Sequence, residues 1–349
     1  MSTIVLTGGG TAGHIIPNIT LCEYLKEHFD KIIYIGGGEP EKSLITSLDY
    51  VQYFEVSAPK LSRSLDIKNL LIPLNLYKGY KKAKKILKQN LPSIVFSKGG
   101  YVSLPTVLAA KSLNIPIVAH ESDFSLGLAN KLVANKINAI CTTFRETANN
   151  LPNGIYTGPP LKKQTITPSQ QNRIRTLFNL NQKPLCLVMG GSQGSQQINQ
   201  LLLHNLDKIT KTHQVLHITG KNKSTTHSHP DYHSIEYTQD LPTIMSISDI
   251  AITRGGSNAL FELLSFGVPM LIIPLQKNSR GDQIQNAQYF ETKGYGISLI
   301  SDNLTDDLFL SKFTKLLESS VTLKAAMHHA LPSDSIQKII STILKYKKD

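Results

Sequence analysis

Short runs of apolar, often β-branched residues recur along this 349-residue chain, separated by longer stretches whose apolar positions fall three and four residues apart. In the first half the runs Thr3–Thr7, Lys31–Ile35, Ser93–Phe96, Ile117–His120, Ala139–Thr142 and Gly154–Thr157 read as strands. Pro17–Lys26 and Leu104–Ser112 between them read as amphipathic helices. Strand and helix in alternation predict an α/β fold with a doubly wound parallel sheet. The pattern breaks at Gly158-Pro159-Pro160 and again over Gln164–Gln171, where polar residues and proline replace the period, and this marks a linker. It then restarts with Leu185–Met189, Gln214–Thr219, Ser234–Tyr237, Ile250–Thr253 and Met270–Ile273 as strands. Two domains are therefore expected, 1–160 and 161–332. The last helical pattern, Ser333 to Lys345 in the tail 333–349, is expected to return to the first domain, although periodicity alone does not decide that.

Composition narrows the classes. The length suits two cores rather than one, and 40% hydrophobic residues exclude global disorder. Cys22, Cys141 and Cys186 lie far apart in apolar patterns and read as reduced core residues of a cytoplasmic protein. No basic leader precedes the first strand, and no apolar run nears the ~20 residues of a membrane span. A net charge of +12 asks for an anionic partner: nucleic acid, a phosphate-bearing substrate or anionic lipid.

Two glycine-rich turns supply the candidate chemistry. Thr7-Gly8-Gly9-Gly10-Thr11-Ala12-Gly13-His14 follows the first strand of one half, and Met189-Gly190-Gly191-Ser192-Gln193-Gly194 follows the first strand of the other. Strand, tight turn and helix leave backbone N–H groups at a helix N-terminus, where a diphosphate is favoured. One such turn is a weak signal. Two imply a pair of nucleotide-binding-like domains facing each other across a cleft. Arg254-Gly255-Gly256-Ser257-Asn258 forms a third turn before the helix Ala259–Ser265. Glu262 on that helix reads either as an acid complementing the helix dipole, the reading spacing favours, or as an acceptor for a ribose diol. His14 reads equally well as a general base or as an imidazole bonding backbone. Lys98-Gly99-Gly100-Tyr101 and His120-Glu121-Ser122-Asp123 also follow strands and should open on the same side as the first turn.

Taken in order, Gly8–His14 with Pro17-Asn18, Ser97–Ser103, His120-Glu121-Ser122, Gly190–Gly194, Arg254–Glu262, Gly267-Val268-Pro269 and Gly281-Asp282-Gln283 with Asn286-Ala287 carry a resemblance over nearly the whole chain. The sequence resembles the undecaprenyl-diphospho-muramoylpentapeptide β-N-acetylglucosaminyltransferases of glycosyltransferase family 28. That resemblance implies a two-domain GT-B fold, UDP-N-acetylglucosamine as donor, and the undecaprenyl-linked muramoyl pentapeptide lipid I as acceptor. It further implies inverting, metal-independent transfer to the muramoyl C4 hydroxyl, giving lipid II for peptidoglycan, and no cofactor. By the same resemblance Thr11, Ala12 and Gly13 border donor sugar and acceptor diphosphate, and His14 is the proposed base. Ser192, Gln193 and Gly194 meet the donor diphosphate. Ser257, Asn258, Ala259, Leu260 and Phe261 lie beside the nucleotide, Glu262 holds the ribose, and Asp282 and Gln283 take the GlcNAc hydroxyls. Gly99, Gly100 and Tyr101 fall on the acceptor side. Two positions among the donor- and substrate-binding candidates depart from the pattern: Asp123 stands where many relatives have an asparagine that touches the donor sugar, and Lys162 where the family often has an arginine near the linker, a change that keeps the charge but loses the fork.

The chemistry is consistent with this reading, since one base and a stabilised diphosphate suffice for inversion and a helix N-terminus can neutralise a pyrophosphate. The sequence holds no Asp-x-Asp pair. His227, His229 and His233 invite a metal reading, but the polar stretch around Pro230 is expected to be a solvated loop.

Between Lys60 and Lys88 nine basic residues face one acid, Asp66, and Leu70, Leu71, Ile72, Leu74, Leu76, Tyr77 and Tyr80 are interleaved with them. Leu76, Tyr80, Ala83 and Leu87 keep helical spacing and suit a core-facing stripe. The surplus of Ile72, Leu74 and Tyr77, with Lys81, Lys82, Lys84 and Lys85, suits a patch resting on an anionic inner leaflet. Peripheral attachment to the cytoplasmic face of the membrane is expected. A diacylglycerol glycosyltransferase is the nearest rival reading. NAD binding is disfavoured because Gly36-Gly37-Gly38 follows the second strand and Glu39 lies beyond its end. Nucleic-acid binding rests on charge alone.

Overall fold

The computed structural model describes residues 2–39, 41–58, 72–162, 164–191, 193–275, 281–332 and 334–348. They form two compact units, 1–162 with 332–349 and 163–331.

In the first unit seven strands pair in parallel: β1 (Thr3–Thr7), β2 (Lys31–Gly36), β3 (Val51–Glu55), β4 (Ile94–Ser97), β5 (Ile117–Glu121), β6 (Ala139–Thr142) and β7 (Gly154–Tyr156). Their spatial order is β3-β2-β1-β4-β5-β6-β7. The chain leaves β1 in one direction and returns beyond it in the other, so β1 and β4 flank a topological switch point, where α/β sheets bind ligands. Register runs Thr7 beside Ser97 and Ser97 beside Ala119, which brings the turns after β1, β4 and β5 to one edge. The near-continuous apolar runs of β1, β2 and β4 follow from burial on both faces. On one face Ile15, Leu21 and Leu25 pack with Ile336, Ile339, Ile340 and Ile343 of the C-terminal helix Ser335–Tyr346. On the other lie Ala83, Ile86 and Leu87 of the helix Ile72–Asn90, together with Val107 and Ala110.

The second unit repeats the scheme with β8 (Leu185–Met189), β9 (Gln214–Ile218), β10 (Tyr232–Ile235), β11 (Ile250–Thr253), β12 (Met270–Ile272) and β13 (Gly296–Ser298). All are parallel, in the order β10-β9-β8-β11-β12-β13, with the switch point between β8 and β11.

Three departures from the sequence reading have local causes. β3 and β13 were not expected. β3 is a sheet-edge strand buried only in part, so its apolar run is diluted, and β13 is only three residues long. The stretch assigned to a linker, Gln164–Gln171, runs into the helix Pro168–Leu177. Thr167 caps that helix: its hydroxyl accepts from the Gln170 N–H while the Gln170 side chain accepts from the Thr167 N–H, with Pro168 at the first position. Thr-x-x-Gln around a proline is a helix start rather than a break.

Candidate functional site

At the switch point of the first unit, the turn after β1 is enclosed by side chains. Tyr34 donates to the Gly8 carbonyl at 2.7 Å, and Asn18 donates to the Thr7 carbonyl. The Gly10 N–H donates to Glu41 Oε1 at 2.6 Å, and Glu41 is 1% exposed. A Cβ on Gly9 would stand 1.9 Å from that same oxygen, and one on Gly10 would stand 2.4 Å from the Tyr101 ring. Glycine is required here because carboxylate and ring already occupy the room. Gly100 is constrained by its backbone: at φ +77° its missing Cβ would fall 2.4 Å from the Gly9 carbonyl. The turns after β1 and β4 are therefore in contact.

Thr11 stands at the N-cap position of the helix Ala12–Leu25, and its hydroxyl, rather than capping a backbone N–H, meets His14 Nδ1 at 2.9 Å. The imidazole lies beside Gly100, whose Cβ would be 3.3 Å from Nδ1. Thr11, Gly13, His14 and Tyr101 are thus brought together with Gly99 and Gly100. Asn130, beside Gly99, donates to Glu121 Oε2 at 2.9 Å and to the His120 carbonyl. Glu121 also accepts from the Asp123 and Gly127 N–H groups, and so shapes the turn after β5. Lys98 is buried, with Nζ 2.6 Å from Ser122 Oγ. Burial lowers its ammonium to about 8, against the opposing pull of Glu121 and Asp123. His120 is held well below the usual imidazole range by burial and then by Lys98.

Lys162 stands on the surface of this same unit, 2.6 Å from Glu23, a hydrogen bond that raises its ammonium above the usual range. The helix Ile72–Asn90 exposes half of Leu74 and Tyr77, and Lys81, Lys82 and Lys85 are exposed beside them. Lys81 rides over the Tyr77 ring and Lys84 over the Tyr80 ring. Ile72 opens this helix half-buried. Lys60, Asp66, Leu70 and Leu71 lie outside the described residues.

In the second unit the turn after β8 rests on backbone. Gly194 has φ +67°, and a Cβ there would fall 2.0 Å from the Thr219 carbonyl. Gln193 is exposed, and Lys223 donates to the carbonyls of Gln193 at 2.7 Å and Gly194 at 3.3 Å. Ser195 caps the helix Gln196–His204. Ser192 lies outside the described residues. The turn after β11 opens the helix Ser257–Ser265, with Ser257 buried and Asn258 and Ala259 half-buried. Leu260 and Phe261 turn their side chains into the core, Phe261 edge-on to Phe290, so a ligand there would meet their backbone.

Glu262 sits in the second turn of that helix, where burial raises its carboxyl to about 7. Asp282 and Gln283 open the helix Asp282–Thr292, and Gln283 Oε1 accepts from the Leu275 N–H at 3.0 Å. Asn286 donates to the Gly255 carbonyl, tying this helix to the turn after β11. His229 meets Asp231 N–H and Thr210, and among the described residues no His, Cys, Asp or Glu group could hold a metal ion.

Three contributors escaped the sequence reading. Glu41 lies just past the glycines after β2, two residues beyond the acid that was considered there. Lys98 was read only as part of a turn. Lys223 acts from a polar loop without a motif.

The chain matches the model of the glycosyltransferase family 28 N-terminal domain over residues 4–142 and that of the family 28 C-terminal domain over residues 185–343. It is 39% identical over 353 residues to a Clostridium botulinum (strain Alaska E43 / Type E3) protein, covering 99% of this chain and 98% of the relative. That relative is named UDP-N-acetylglucosamine–N-acetylmuramyl-(pentapeptide) pyrophosphoryl-undecaprenol N-acetylglucosamine transferase. A Clostridium tetani protein of the same name is 39% identical over 350 residues, covering 98% of each chain. Among solved structures, MurG of Acinetobacter baumannii superposes with a TM-score of 0.77 at 20% identity, covering 99% of this chain and 100% of that one.

Proposed function

This chain belongs to glycosyltransferase family 28, and we propose that it carries out the transfer its curated relatives are named for. N-acetylglucosamine moves from UDP-N-acetylglucosamine to the C4 hydroxyl of the N-acetylmuramyl pentapeptide on pyrophosphoryl-undecaprenol, a step of peptidoglycan synthesis. The observation that carries this is the match to both family domains and, over nearly the full length, to the curated relatives, with a glycine turn at the switch point of each parallel sheet.

Roles divide by unit. In the second, Gln193, Gly194 and Ser192 take the donor diphosphate, Ser257 to Phe261 line the nucleotide, Glu262 accepts the ribose hydroxyls, and Asp282 and Gln283 meet the sugar. In the first, Thr11 to Gly13 border the donor sugar and the acceptor diphosphate, and Gly99 to Tyr101 lie on the acceptor side. His14, oriented by the Thr11 hydroxyl, takes the proton of the attacking C4 hydroxyl. As the anomeric bond breaks, charge collects on UDP, and amides at a helix N-terminus stabilise it. Inversion follows from a single displacement. The helix Ile72–Asn90 rests peripherally on anionic lipid through Ile72, Leu74, Tyr77 and Lys81, Lys82, Lys84 and Lys85. No described helix is long and apolar enough to cross a membrane. Nucleic acid is not a partner.

Labelled UDP-N-acetylglucosamine and lipid I incubated in EDTA should give lipid II with the inverted β linkage. Transfer to diacylglycerol in place of lipid I would overturn the acceptor, and arrest by the chelator would overturn the metal-independent route. Co-sedimentation with anionic vesicles should weaken steeply when Lys81, Lys82, Lys84 and Lys85 become Glu, since each basic residue near such a surface adds ~1 kcal/mol. Unchanged binding would remove the patch.

A further inference from the structure

We propose that Lys98 is a positioning residue for the acceptor: its buried ammonium clamps the turn Ser122–Gly127 from beneath and fixes the crevice in which the acceptor is bound. The proposal rests on the family reading for the identity of that acceptor.

The geometry places Lys98 at a joint. It follows β4 directly, and its backbone N–H donates to the Thr7 carbonyl, so it stands against the first glycine turn. Its Cβ stands 2.9 Å from where a Cβ on Gly8 would lie, so lysine and glycine turn are packed against each other. Its Nζ reaches to the end of β5 and meets Ser122 Oγ at 2.6 Å. The turn beyond is then held at three places. Glu121 accepts from the Asp123 N–H at its start and from the Gly127 N–H at its end, and Lys98 holds Ser122 between the strand and the turn. Asn130 ties Glu121 to the flank of Gly99, which joins this clamp to the turn that carries Tyr101.

Packing does not explain the residue. Lys98 is 1% exposed, and among the described residues its three N–H groups find one hydrogen-bond acceptor. A buried charge so thinly compensated is costly, and methionine would fill the same space without that cost. Glu121 and Asp123 supply the opposing charge, while His120 is the further titratable group beside it. Buried ionisable groups of this kind collect where a site needs charge in a fixed place. Burial leaves the ammonium charged below pH about 8 and neutral above it. The clamp should therefore loosen on the alkaline side.

The test uses the full-length protein, with acceptor and donor varied separately across roughly pH 6 to 9.5. In the wild type the acceptor KM should climb above pH about 8 while the donor KM stays flat. Lys98→Met should raise the acceptor KM about tenfold at neutral pH, abolish that climb and leave the donor KM within about twofold. Ser122→Ala, which keeps the charge and removes its partner, should raise the acceptor KM by a smaller factor. Independently of turnover, hydrogen exchange at fixed pH should speed up in peptides spanning 121–130 in both variants and stay unchanged over 185–272. Unaltered exchange in 121–130, an unaltered alkaline climb in Lys98→Met, or donor and acceptor KM rising together would each overturn the role. Loss of the family reading would look different: the wild type would fail to glycosylate lipid I while the exchange result still reported the clamp.

Discussion

In the first unit the glycine turn after β1 is held by side chains, whereas in the second the turn after β8 is held by backbone. Glu41 accepts from Gly10, Lys98 stands behind the neighbouring turn, and Glu121 gathers three N–H donors. Across the same topological position of the other sheet, Gly194 lies on the Thr219 carbonyl, and Lys223 braces the turn from the surface. On the proposed assignment the same strand order serves two kinds of site. A diphosphate bound mainly by amides needs only a rigid turn, and glycine packed on backbone supplies it. An acceptor that must be deprotonated needs charges in fixed places, and burial of Lys98 makes the effect of its ammonium dependent on pH.

The largest expected effect separates the units most sharply. His14→Ala should lower kcat by about 10²–10⁴-fold, the usual yield of a general base, and leave UDP affinity within about twofold. Loss of UDP binding with turnover per bound donor intact would break the division. Next comes Glu262→Gln, which should raise the donor KM by ~10-fold or more through weakened charged hydrogen bonds and spare the acceptor KM.

Glu262 also gives the second unit its own pH signature, of opposite sense to that of Lys98. Its carboxyl is raised to about 7 and ionises only above that pH. Donor KM should therefore rise as pH falls below about 7, and the slope should vanish in Glu262→Gln. The same raised group contributes stability that is complete below the unfolded value of 4.5 and lost as pH climbs through about 7. Thermal melts of the wild type and Glu262→Gln over that window test the sign.

Smaller effects sharpen the contrast. Glu41→Ala strands the Gly10 N–H and should cost about 1–3 kcal/mol of stability. Acceptor KM should rise severalfold, and Glu41→Gln should recover most of both. Lys223→Ala should change the donor KM by no more than about twofold, because a half-buried ammonium at the surface contributes little. A larger loss would mean that the second turn also depends on charge.

Much of this was legible in the sequence, and the remainder was hidden for physical reasons. Doubly buried parallel strands announce themselves as unbroken apolar runs, and β1, β6, β8 and β11 begin and end where those runs do. Edge strands such as β3 bury one face and carry no such run. Turn motifs located the residues around His14 and Glu262 because glycine spacing is local. Glu41 and Lys98 were invisible as partners, since each acts across a sheet: Gly10 and Glu41 are 31 residues apart, and Lys98 and Ser122 are 24 apart. A lysine beside two glycines reads as solvated until the fold encloses it. Lys162 pairs with Glu23 at the surface, a long-range partner that no local motif announces.

The most direct test of the division between units is a crystal of the intact protein soaked with UDP. The account predicts the diphosphate on the amides of the turn after β8 and the ribose hydroxyls on Glu262. Density for UDP over Gly8–Gly13 in the first unit, with the turn after β8 empty, would contradict it.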